Sequence, residues 1–136
     1  MLLISTRIIF SRLFLLFLVF SIFLLATSTV ASAEQLDFKL LVGEWVRPDG
    51  GYVIRIGEIK PDGTVDAGYF NPSEINIAEV NISEWKGLLK LFIKLDDEGY
   101  PGSTYTLYYY AEKDALAGFY YQAVLQQTFE VVFLRK

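Results

Sequence analysis

Cysteine and histidine are both missing from this 136-residue chain, which also holds a single methionine and only four prolines. Without Cys there is no disulfide, no thiol nucleophile and no lipid-modified N-terminal Cys. Without His, Ser-His-Asp triads and the common zinc sites are excluded. Paired carboxylates could still do acid–base work, but no spacing in the sequence marks such a pair. The chain therefore reads as a non-enzyme with no cofactor and no metal. Asp96-Asp97-Glu98 lacks the spaced ligands of a calcium loop and reads as a solvated hairpin tip.

Also missing is an apolar run of the roughly 18 residues that a membrane helix requires. The longest, 13–26, is broken only by Ser21 and follows the basic residues Arg7 and Arg12. It leads into a small, polar stretch ending Ala31-Ser32-Ala33, the pattern read by a signal peptidase. The expectation is a signal peptide over 1–33, cleaved after Ala33, and a single domain over 34–136 that is secreted or periplasmic. The leader takes two of the twelve basic residues and none of the sixteen acids, so the formal charge moves from −4 to −6. An acidic exported domain is a poor electrostatic match for nucleic acid or an anionic membrane, and neither is expected as a partner. Its stability must come from packing, which the 6 Phe, 9 Tyr and 2 Trp that follow the leader can supply.

What is present after the leader is a succession of short β-type runs separated by turn signals. Runs at 42–47, 52–59, 64–70, 75–85, 88–95, 104–111, 115–122 and 127–135 are rich in β-branched and aromatic residues. Pro48-Asp49-Gly50-Gly51 and Lys60-Pro61-Asp62-Gly63 separate the first three. The clearest alternation is Leu89, Leu91, Ile93 and Leu95 against Lys90 and Lys94, followed by Phe129, Val131 and Phe133 against Glu130. The run at 75–85 is long enough to bend midway. No amphipathic helix of any length and no repeat occurs. Eight strands joined by hairpin-length links predict an all-β, antiparallel up-and-down barrel, which removes its exposed edges by closing.

Leu41-Val42-Gly43-Glu44-Trp45, Gly50-Gly51, Ile56-Gly57, Asp62-Gly63-Thr64 and Gly68-Tyr69 together resemble the first three strands of avidin-type barrels. The Gly-x-Trp with a basic residue, Arg135, near the end of the last strand is also similar to lipocalins. The likeness covers about a third of the mature chain and its last residues. It implies that Gly43, Trp45 and Arg135 close one end of the barrel, with the guanidinium across the indole face. It does not carry biotin binding with it. Arg47 stands where avidins place an Asn, Gly51 and Tyr52 where they place a Ser, and only Tyr69 matches the third polar ligand. Trp85 is the one Trp besides Trp45, where avidins supply several.

Arg47, two residues beyond Trp45, should share its inward face. It reads either as an anchor for an anionic group inside the barrel or as a rim residue reaching solvent. Tyr52, Tyr69, Tyr108 and Tyr121 are the other candidates for a ligand-binding wall. The tyrosine cluster of 105–121 reads first as core with cross-strand pairing, next as a ligand-binding wall, and in its outward members as an exposed patch for a protein partner. Tyr100, in the longest loop, is a candidate contact at the barrel mouth. The functional expectation is a binder of a small anionic or amphipathic ligand. An inhibitor or interaction module using the 96–103 loop, or a structural envelope component, is the alternative. A homo-oligomer stays open.

Overall fold

The computed structural model describes residues 36–136, so the expected leader and its cleavage site lie outside the described residues. A short 3-10 helix, Phe38–Leu41, is started by the Asp37 side chain, which accepts from the Lys39 N–H. Nine strands follow: β1 Gly43–Val46, β2 Val53–Ile59, β3 Val65–Phe70, β4 Glu74–Ile75, β5 Ile77–Trp85, β6 Leu88–Leu95, β7 Thr104–Tyr110, β8 Ala115–Gln122 and β9 Gln127–Arg135. All neighbouring pairs are antiparallel. The strand order is β4-β3-β2-β1-β9-β8-β7-β6-β5. Each strand thus pairs with its chain neighbour, except that β1 closes on β9 and β4 does not pair with β5. The result is an up-and-down, nearly closed barrel.

The count of nine corrects the expected eight. The single run foreseen at 75–85 is divided at Asn76. Residues 74 and 75 pair with β3, through Tyr69↔Ile75 and Phe70↔Glu74, whereas β5 pairs with β6. At Asn76 the backbone is taken by the β6–β7 loop: its carbonyl accepts from the Asp96 N–H and its N–H donates to the Asp97 carboxylate. A residue with both backbone groups so engaged cannot continue a ladder with β3.

Alternation along the strands gives the barrel its interior. Trp45, Ile54, Ile56, Tyr69, Leu91, Ile93, Leu95, Tyr105, Leu107, Leu116 and Phe133 are all essentially without solvent exposure. Leu89, Leu91, Ile93 and Leu95 of β6 and Val131 and Phe133 of β9 face inward as read, whereas Phe129, expected with the latter two, is 43% exposed. The tight turns match their sequence signals as well. Lys60 and Thr64 close the β2–β3 turn around Gly63, whose φ of +87° suits glycine. Among the described residues no helix is long and apolar enough to cross a membrane.

Candidate functional site at the barrel mouth

Strand direction puts Trp45 and Arg135 at one end of the barrel and Arg47 at the other. At the first end Arg135 lies with its guanidinium carbon 4.1 Å from the Trp45 ring centroid. It donates to the Leu40 and Val42 carbonyls, each at 2.7 Å, and to the Asp114 carboxylate at 2.7 Å. The indole N–H donates to the Leu41 carbonyl at 2.9 Å, and Tyr109 meets the indole edge-on at 5.8 Å. Gly43 is needed here because its φ is +140° and a Cβ would lie 2.7 Å from the guanidinium. This end is a packed floor in which the indole N–H, the guanidinium, the Tyr109 hydroxyl and the Asp114 carboxylate are all engaged. Its three expected closure residues, Gly43, Trp45 and Arg135, meet there.

The opposite end gathers the β1–β2 turn, the β3–β4 link, the 96–103 loop and the β8–β9 turn. Arg47 points into this mouth. Its guanidinium sits 4.3 Å from the Tyr52 ring centroid and 6.0 Å from that of Phe133, and only 11% of the side chain is exposed. It is not an open anion anchor, because Asp49 in the following turn accepts two hydrogen bonds from it at 2.9 and 2.6 Å. That pair, above all, raises the Arg47 pKa and lowers that of Asp49. Both alternatives read from the sequence are thus modified: the side chain turns inward, and its charge is already matched.

Beneath Arg47 the tyrosines stack through the interior. Tyr69 and Tyr105 share a hydroxyl–hydroxyl hydrogen bond of 2.9 Å, and Tyr105 stacks on Tyr120 at 4.6 Å. Burial pushes the Tyr105 hydroxyl up to about 12, against the opposing pull of Tyr69 and Arg47. Burial also raises Tyr69 and Tyr120. Tyr100 folds back from its loop to meet Tyr69 edge-on at 6.5 Å and accepts a hydrogen bond from the Asn71 side chain. The Asp97 carboxylate beside it is occupied by the N–H groups of Asn76 and Glu98, which lower its pKa. No group of side chains suited to a metal ion occurs among the described residues.

Above the stack lies an open cleft of about 350 Å³, walled by Arg47, Asp49, Tyr52, Tyr120, Gln122 and Phe129, with Leu125 and Glu130 at its edge. Tyr120 and Phe129 are nearly parallel, with centroids 6.4 Å apart. The Gln122 carboxamide oxygen is buried and lacks a hydrogen-bond partner, the only such side-chain atom among the described residues.

Of the five candidate ligand residues, Arg47 and Tyr52 line this cleft and Tyr69 lies deeper, in the packed interior. Tyr108 and Tyr121 do not belong to it. Both stand on the outer face, Tyr108 against Trp85 at 5.1 Å and Tyr121 in solvent. Their strands place Tyr105, Tyr109 and Tyr120 inward, and a one-residue offset sends a side chain to the other face. Of the residues at or just beneath the mouth, Tyr105 and Tyr120 belong to the tyrosine cluster read from the sequence. Gln122 reads there first as solvent-facing and next as a ligand contact, and Phe129 is the one that sequence reasoning missed as a site residue. The register Tyr105↔Tyr120↔Phe129 across β7, β8 and β9 brings three of them to one level.

The outer face of β7–β9 carries a second depression, about 400 Å³, between Trp85, Tyr108 and Tyr110 on one side and Phe119 and Val132 on the other. No family model, no curated protein and no solved structure matches this chain. The fold itself is compatible with a calycin-type barrel.

Proposed function

We propose that the chain is an exported barrel that binds a small molecule in its mouth and performs no chemistry on it. The observation that carries this reading is the cleft beside Arg47. Its volume of about 350 Å³ falls at the small end of the range for ligand pockets. Its walls combine aromatic faces with a few polar groups, and it sits above an interior that is already filled. The ligand is therefore taken at the mouth, by a molecule the size of one or two rings, rather than swallowed into the barrel. Kinship to avidins or lipocalins is part of the proposal and rests on the Arg135–Trp45 floor. Biotin is not the ligand proposed, since Arg47 replaces the Asn that resemblance would require.

Native mass spectrometry of the protein purified from its own host tests the reading. A stoichiometric bound mass, lost in the double variant Tyr52→Ala/Phe129→Ala, is expected. A barrel that is always empty, and whose melting temperature no small-molecule collection raises, would sink it. A second reading, an interaction module, is favoured by the outer face, where Trp85, Tyr110, Phe119, Tyr121, Val132 and Leu134 are each more than a third exposed. A bound mass in the kilodalton range, displaced by Phe119→Asp but not by Tyr52→Ala, would shift the choice to it.

A further inference from the structure

We infer that the mouth cleft selects flat aromatic molecules that donate hydrogen bonds and carry no negative charge. The inference rests on the ligand-binding reading above and adds the chemical class of the ligand. Three observations lead to it independently. The first is electrostatic. A single arginine in the wall would suggest a carboxylate or phosphate, but Asp49 holds both its Nε and its Nη2. The Asp49 carboxylate thus already matches the one guanidinium of the cleft, inside a domain that is itself acidic. An incoming anion would have to share the guanidinium with Asp49 and face its carboxylate.

The second observation concerns hydrogen bonding. The Gln122 oxygen is an acceptor without a donor, and a buried acceptor left unmatched is costly. Gln122 forms part of the cleft wall. Its terminal torsion is soft, so a small rotation turns the oxygen toward the open space. A ligand N–H or O–H there would satisfy a group that none of the described residues satisfies. The third observation is shape. Tyr120 and Phe129 are inclined by only 24°, and Tyr52 lines the same cleft with the Arg47 guanidinium over its ring. Such walls favour a planar ring over an alkyl chain.

Benzamidinium, benzamide and benzoate have nearly the same shape and differ in charge and in donor content. Titration of each into the 15N-labelled domain, followed by the amide and Gln122 side-chain resonances, tests the inference. Benzamidinium and benzamide should shift the signals of Tyr52, Tyr120, Gln122 and Phe129, with benzoate at least tenfold weaker. Gln122→Leu should weaken the two donors about fivefold and leave benzoate unchanged. Asp49→Asn, which frees Arg47, should invert the order and make benzoate the tightest. Equal or tighter binding of benzoate by the unaltered protein overturns the proposed class while leaving ligand binding intact. An unchanged donor affinity in Gln122→Leu overturns the role of that acceptor. Silence of the mouth resonances toward all three probes overturns the class as well. The broader reading falls with it only if protein from the host is also empty by native mass spectrometry.

Discussion

The Arg135 guanidinium donates to two carbonyls and a carboxylate while covering an indole, so lysine is no substitute for it. A compact ammonium cannot reach Leu40, Val42 and Asp114 together, nor stack flat on Trp45. Each charged hydrogen bond lost is worth roughly 1.5–3 kcal/mol when its partner is left unmatched, and less where water replaces it. Arg135→Lys should therefore lower unfolding free energy by about 3 kcal/mol in urea titrations, with the slope unchanged. The partner carboxylate sets an acid limit. Arg135, and to a lesser degree Tyr109, hold the Asp114 pKa below its ordinary value of 3.8. A depressed folded-state value stabilises the fold above the unfolded value, and that contribution drains away as pH falls through the folded one. Stability measured from pH 5 downward should fall below about pH 4, and the fall should be shallower in Asp114→Asn. At the alkaline limit the sign is the reverse. Tyr105 ionises at about 12 in the folded protein, above the ordinary tyrosine value of 10.0. Its contribution is whole below pH 10 and is lost as pH rises toward 12. Ultraviolet titration should show a tyrosinate fraction delayed to that range, and unfolding should begin there.

Gly118, on β8, faces β7 so closely that a methyl group would strike the Thr106 carbonyl and lie 3.0 Å from the Leu107 Cα. Backbone cannot move aside as a side-chain tip can. Gly118→Ala should cost about 3 kcal/mol, the upper part of the usual range for overpacking, visible as a lower midpoint in thermal unfolding. Much of this element layout was legible in advance. The β6 and β9 patterns alternate cleanly, so their inward faces follow from the sequence alone. The Lys60-Pro61-Asp62-Gly63 turn follows from local chemistry in the same way, whereas the pairing of Trp45 with Arg135 is implied only by the resemblance to avidin- and lipocalin-type barrels. What was not legible depended on distant partners. The division at Asn76 is imposed by Asp96 and Asp97, twenty residues further along and invisible to any local pattern. Tyr108-Tyr109-Tyr110 presents the same residue to both faces, so nothing in it says which ring lies inside. Only the ladder Tyr105↔Tyr120↔Phe129 fixes that. The Asp49 partner of Arg47 was closer to hand. A carboxylate two residues on, in the adjoining turn, is a local signal that an inward arginine is already matched.

At the scale of the whole molecule the barrel has two seams of different kinds, one open and one joined. Between β3 and β5 the strands part after Ile75, while β1 and β9 are joined by backbone bonds at Trp45↔Arg135 and Val46↔Leu134. Removing residues 134–136 takes away that second seam and the floor together. The truncated chain should lose its cooperative thermal transition, and dispersed amide signals should collapse even though β5–β9 retain most of their pairings. The same seam governs time as well as stability. Successive hairpins bring together residues close in sequence, but Trp45 and Arg135 meet across almost the full described chain, and contacts of that span form late. An interaction made after the transition state holds back unfolding without hastening folding. Stopped-flow measurements on Arg135→Lys should show the unfolding rate raised by most of the stability lost and the folding rate nearly unchanged. When cleavage of an opened chain outpaces reclosing, the interval between openings decides survival. In that regime the arginine over the indole acts as a latch, and what it sets is the protein's lifetime.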